Sequence, residues 1–178
     1  MQSPEELFHF SEQSGLDVFE PRLIPARPEV TEPLVWAVDA EHAFTYCFPR
    51  DCPRIVIWRL PTSTDADWQR WLGASTARAV AYVEYAWLER MRTTRLFRYR
   101  FPSDSFEPAG ALGGPGNYSS RSAVTASGVD ELDDLFEVLR VAGVELRVLD
   151  RLAPLRGAWD STLHVSGFRL RNAQDWPG

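Results

Sequence analysis

The chain has 178 residues, 44% of them hydrophobic, a formal charge of −6 and a pI near 5.1. That length fits one domain spanning residues 1–178, and the apolar fraction excludes a disordered chain and allows a core without disulfides or metal. The acidic balance argues against a DNA-coating protein, although a local basic pocket for a small anion is compatible with it.

All 19 basic residues are arginine. Two readings stand: GC-rich codon usage, or a need for planar bidentate anion contacts, which arginine makes better than lysine. Cys47 and Cys52 are too few for a disulfide framework and wrongly spaced for a zinc site, so both read as reduced thiols. The first ten residues carry neither a basic stretch nor an apolar stretch of the secretory kind. No run approaches the ~20 apolar residues of a membrane span. The expected compartment is the cytoplasm, with no membrane partner.

In chain order, residues 7–11 read as a short strand, with Phe8 and Phe10 directed to the core and His9 to the opposite face. Residues 12–33 hold four prolines and form an extended loop carrying Arg22 and Arg27. Residues 34–38 are an apolar interior strand, and Asp39 caps a short helix that runs to about Cys47. Residues 48–54 form a Pro-flanked turn before a strand at 55–60. Residues 65–72 form a short helix or turn that stops at Gly73. Residues 78–85 are rich in strand formers, and 86–92 make a helical turn. Residues 95–101 alternate cleanly, with Phe97, Tyr99 and Phe101 on one face and Arg98 and Arg100 on the other. The glycine-rich stretch 109–117 is a loop. Residues 118–125 read as a strand, and Ser127 caps a helix with Asp130 and Glu131 in its first turn and an apolar stripe from Leu132 to Leu139. Gly143 ends that helix. A strand at 144–149, a helix near 152–159 and a strand near 165–170 complete the order. The irregular succession of strands and short helices is α+β, with a mixed, mostly antiparallel sheet.

The common signatures are missing. The 110–116 stretch lacks the ending of a phosphate-binding loop, no glycine fingerprint opens a helix after a strand, and no nucleophile elbow occurs. His9, His42 and His164 have no ligand spacing, so no metal is expected. What remains is a constellation: His9 and Ser11 on one strand, Trp36 in the next, and Tyr46 at the end of the helix that follows. A histidine and a serine on one strand face can bond a ribose. Aromatic faces suit a flat heterocycle. Arg22, Arg27, Arg50 and Arg54 could meet a pyrophosphate bidentately.

That order of residues resembles the ADP-ribosyltransferase superfamily of the diphtheria-toxin and poly-ADP-ribose polymerase type. The resemblance covers residues 7–48. It implies a split β-sandwich of that family's kind and NAD as cofactor. His9 would bind the adenosine ribose, and Trp36 and Tyr46 would sandwich the nicotinamide. The chain departs from the family pattern where a later strand should supply a glutamate: Ser122 stands nearest that position, and Glu107 is a poor substitute. Without that charge the main electrostatic support for a transfer step is lost, so the implied activity is binding with weak or absent transfer. The whole chain also resembles an uncharacterised bacterial family of unknown function, on His9-Phe10-Ser11-Glu12, Arg27-Pro28, Val35-Trp36-Ala37, the 48–54 stretch Phe-Pro-Arg-Asp-Cys-Pro-Arg, and residues 166–172. Two alternatives stay open. One is a non-catalytic domain with a protein partner, suggested by seven tryptophans, among them Trp68, Trp71, Trp159 and Trp176 near loops or chain ends. The other is a phosphotransferase acting on a phosphorylated RNA end, since RNA 2′-phosphotransferases share the ADP-ribosyltransferase-like fold.

Overall fold

The strict alternation at 95–101 is the clearest strand signal in the chain, and in the computed structural model it lies inside the larger of two main sheets. The structure describes residues 4–24 and 28–177. In chain order the strands are β1 Glu6–Ser11, β2 Val18–Phe19, β3 Val35–Val38, β4 Arg54–Trp58, β5 Ala79–Glu84, β6 Leu96–Pro102, β7 Glu107–Pro108, β8 Asn117–Ser120, β9 Val124–Thr125, β10 Gly128–Leu132, β11 Val144–Leu149 and β12 His164–Phe168. The α-helices are α1 Asp65–Leu72, α2 Leu88–Thr93 and α3 Leu135–Val141, and short 3-10 helices fill several connections. The architecture is α+β, and among the described strand pairs only β5 with β11 runs parallel. The chain groups into two compact units. Residues 1–47 join 95–133 in the first, and 48–94 join 134–178 in the second. Among the described residues no helix is long and apolar enough to cross a membrane.

The first unit holds a six-stranded sheet in the order β10-β6-β1-β3-β8-β7, beside the small pair β2-β9. Antiparallel register places Leu7 opposite Phe101 and His9 opposite Tyr99. Directly opposed residues share a face, so Leu7 and His9 lie on the side of the β6 aromatics. Leu7, Phe19, Val35, Ala37, Tyr99, Phe101 and Val124 form the core there. The expected faces of β1 are therefore exchanged. A one-residue change in pairing moves every side chain to the other face, and the three β6 aromatics set which face is core. Phe8 and Phe10 fall opposite Arg100 and Arg98, and the Arg98 guanidinium lies 5.2 Å from the Phe8 ring centroid.

The helix expected after Ser127 is also corrected. Residues 128–132 form β10 along β6, and Asp130 accepts from Arg98 Nε at 3.1 Å and Nη2 at 2.9 Å. An open strand edge with a waiting cation outweighs the local capping signal. The helix starts later, at α3, where the Asp134 carboxylate accepts the Glu137 N–H at 3.0 Å. The expected strand at 118–125 splits into β8 and β9, with Ser122 between them bonded back to Ser120 Oγ.

The second unit is built on a four-stranded sheet in the order β11-β5-β4-β12. Ile55, Ile57, Val80 and Tyr82 face a core completed by Leu72, Leu152, Leu155, Ala158 and Leu163, with Trp68 and Trp71 packed against it. Helix α1 starts where sequence predicts. Thr64 Oγ1 accepts the Asp67 N–H, and Gly73 ends the helix at φ +61°, a conformation glycine adopts without steric cost.

Candidate functional site

Trp36 and Tyr46 belong to the first unit, and the structure places them on one side of the six-stranded sheet. Phe8 pairs with Val38, Trp36 pairs with Ser119, and Val38 pairs with Asn117. By strand parity Phe8, Phe10, Trp36, Val38, Asn117 and Ser119 share the face away from the Leu7–Phe101 core. Tyr46 closes a 3-10 helix, Ala43–Tyr46, that follows β3. Its ring stacks on Phe10, with centroids 6.2 Å apart and planes 13° apart, and its hydroxyl donates to Asn117 Oδ1 at 2.6 Å. Two aromatic faces and an amide–phenol pair thus gather on one surface of the unit.

The glycine-rich segment reaches the same surface. A Cβ on Gly113 would stand 3.3 Å from Trp36 Cζ3, and one on Gly116 would stand 2.2 Å from His42 Nδ1. Gly110, Gly114 and Gly116 take φ of +55°, +73° and +71°. At Gly116 both space and conformation demand glycine. The Asp39 N–H donates to the Gly116 carbonyl at 2.9 Å, which ties the loop to the end of β3.

Asp39 caps no helix here: only the 3-10 helix Ala43–Tyr46 forms, with His42 at its N-cap, and Asp39 sits at the turn before it. Its Oδ1 accepts the His42 backbone N–H at 2.8 Å and the His42 Nδ1–H at 2.8 Å. The first bond closes the turn that leads into the 3-10 helix. The second fixes the ring, which in its neutral form presents Nε2 as an acceptor. Asp39, His42, Tyr46 and Asn117 therefore make a polar rim beside Trp36. The sequence reading passed over His42 and Asn117. The available signal was the Asp39-x-x-His42 spacing directly after an interior strand, which lets one carboxylate serve both turn and ring.

The remaining site candidates fall elsewhere. His9 donates its Nδ1–H to the Trp36 carbonyl at 2.8 Å. Its ring lies against Phe19 and Phe101, at 5.0 and 6.0 Å between centroids, on the face opposite the Trp36 and Tyr46 side chains. Ser11 accepts the Gln13 N–H at 3.1 Å and so shapes the turn after β1. Arg22 is exposed and pairs its backbone with Leu34. Arg27 lies outside the described residues. Arg50 belongs to the second unit, in the 48–54 stretch.

That stretch is held firmly within the second unit. Arg169 Nε donates to the Arg50 carbonyl at 3.1 Å, and Asn172 Nδ2 donates to the Asp51 carbonyl at 2.8 Å. The buried Arg54 guanidinium lies between the Phe48 and Phe168 rings, 4.9 and 4.3 Å from their centroids, and donates to the Cys52 carbonyl. Two stretches that stand out in the sequence, 48–54 and 166–172, thus meet and brace one another. Cys47 and Cys52 are both buried and form no disulfide. Burial pushes the Cys52 thiol up to about 12, with Arg54 opposing and Glu84 reinforcing the shift. A thiol in that state is a poor nucleophile. Among the described residues no three His, Cys, Asp or Glu side chains converge as a metal-ligand set.

Over residues 8–173 the chain matches a family described as a family of unknown function, DUF6886. The match runs through both units, so both are part of what the family has in common. No curated protein and no solved structure matches the chain.

Proposed function

The chain belongs to that family, and we propose that its first unit binds a nucleotide of the NAD class on the Trp36–Tyr46 face, under the glycine-rich segment. The observation that carries this reading is the shared surface itself: Trp36, Tyr46 and Phe10 on one side of the sheet, with Gly113 against the Trp36 ring and the Asp39–His42 pair at the rim. Indole and phenol faces offer a flat apolar platform for a heterocycle, worth about 0.5–1.5 kcal/mol per stacked pair. His42 Nε2 accepts a ribose hydroxyl, and the Tyr46–Asn117 pair offers a second polar contact. Arg22, whose backbone pairs with Leu34 just ahead of β3, is the first-unit cation assigned to the pyrophosphate. In this reading His9 is a positioning residue, which fixes the β3 backbone at Trp36 from the opposite face. The chain has no glutamate where the resembling transferases carry one, so the reading is of binding rather than transfer.

The test is calorimetric titration with NAD and with ADP-ribose on the full chain, on Trp36→Ala and on His42→Gln. Micromolar binding by the native chain, weakened about tenfold or more in both variants, is the expected result. Absence of heat with either ligand at about millimolar concentration overturns the reading.

A further inference from the structure

The second unit carries a solvent-open groove of about 480 Å³ lined by Arg156, Trp159, Gly167, Leu170 and Trp176. Its walls follow from the 3-10 helix Ala153–Asp160. A 3-10 helix repeats every three residues. Leu152, Leu155 and Ala158 accordingly turn into the core, while Arg156 and Trp159 turn together to solvent. Trp159 is 42% exposed, an unusual state for an indole, and sets its ring 6.2 Å from that of Trp176 in an edge-to-face pair.

The floor is equally specific. A Cβ on Gly167 would stand 2.5 Å from Leu170 Cδ1 and 3.0 Å from Trp159 Cζ2, so glycine lets both side chains rest on β12 without either shifting. Leu170 reaches that position because the chain reverses at Arg169, which takes φ +52°, a left-handed conformation that costs a non-glycine residue energy. The Arg169 side chain is tied to the Arg50 carbonyl, which holds the reversal in place.

Charge decides what the groove takes. Arg156 is the only charged residue among those lining it, and it makes no ion pair or hydrogen bond among the described residues. The nearby Asp175 is already engaged by Arg151. A guanidinium beside two indoles, in a space of ordinary ligand-site size, matches a flat apolar ring bearing an anionic group. We propose that this groove is a binding site for a small planar aromatic anion, independent of the nucleotide reading of the first unit.

The test uses a matched pair of probes on the full chain. 8-Anilinonaphthalene-1-sulfonate carries the ring system and one sulfonate, and N-phenyl-1-naphthylamine carries the same rings without charge. Arg156 is exposed, so its variants are expected to fold, and far-ultraviolet circular dichroism checks this. The expected result is saturable binding of one sulfonate probe per chain. It weakens about fivefold in Arg156→Gln and about tenfold or more in Arg156→Glu. The neutral probe binds all three proteins alike, and Trp159→Leu weakens both probes. Lack of saturation up to about 1 mM overturns the proposal. So does a sulfonate affinity indifferent to the charge at position 156, or a stoichiometry above one that survives Trp159→Leu.

Discussion

Replacing Gly116 by alanine separates two effects that the structure places at one residue. The backbone there has φ +71°, and an added Cβ would stand 2.2 Å from His42 Nδ1, 2.5 Å from Cγ and 2.7 Å from Cβ. Left-handed strain alone costs an L-residue about 1–2 kcal/mol. Displacing the ring costs in addition the Asp39–His42 side-chain bond and loosens the turn bond from the same oxygen, about 1 kcal/mol each. Gly116→Ala is therefore expected to lose about 2–4 kcal/mol. Gly114→Ala is the control: its φ is +73°, yet nothing lies within 4 Å of its Cβ position, so it bears the strain alone. The assay is urea unfolding followed by tryptophan fluorescence. With a slope of about 2 kcal/mol/M, the Gly116 variant should melt about 0.5–1 M lower in urea than the Gly114 variant. The added variant His42→Gly removes all three contacting atoms, so the double substitution should be less harmful than the sum by about 1 kcal/mol. Equal midpoints for the two alanine variants, with additive behaviour in the cycle, would refute the claim that His42 is held between Asp39 and the glycine loop.

Two other predictions concern the second unit. Cys52, with its thiol pushed up to about 12 by burial, should resist iodoacetamide at pH 8 in the native chain and react once urea unfolds it; rapid native labelling, located by mass spectrometry, would contradict its burial. Asp67 accepts from the Thr162 backbone N–H at 2.8 Å and hydroxyl at 2.7 Å, which hold its carboxyl below the usual carboxylate range. A lowered folded value means that its contribution is fully present above the ordinary aspartate range and is lost as pH falls through the lowered value. Native chain and Asp67→Asn should accordingly differ most in urea midpoint above about pH 4 and converge in stronger acid, and a gap that widens on acidification contradicts the assignment.

Strands whose pattern is set by their own alternation were legible. Residues 95–101 became β6 with the expected faces, and 144–149 became β11. Helix α1 was legible because its stop is local chemistry, a glycine. Where two neighbouring strands decide the outcome, local pattern misled. The faces of β1 depend on which residues of β6 oppose them. The capping signal at Ser127 gave way to the free edge of β6 and to Arg98. Trp36 and Tyr46 stood out as aromatics within and after an interior strand, and the structure sets them on one face of the six-stranded sheet. His42 escaped because its chemistry comes from Asp39 three residues earlier and from a loop more than seventy residues later. The bracing of 48–54 by 166–172 is likewise a tertiary fact that each segment alone leaves unstated.

The alternation of segments between the two units bears on how the chain is made. The first unit draws on residues 1–47 and 95–133, and the second on 48–94 and 134–178. A ribosome therefore delivers half of each unit before it completes either one. The first cannot close its sheet until β10 has emerged, and β4 and β5 must wait for β11 and β12. Contacts so distant in sequence slow folding and leave sheet edges open meanwhile. Early termination near residue 133 would release a nascent chain with a complete first unit interrupted by an orphaned half of the second, a natural client for a chaperone or a protease.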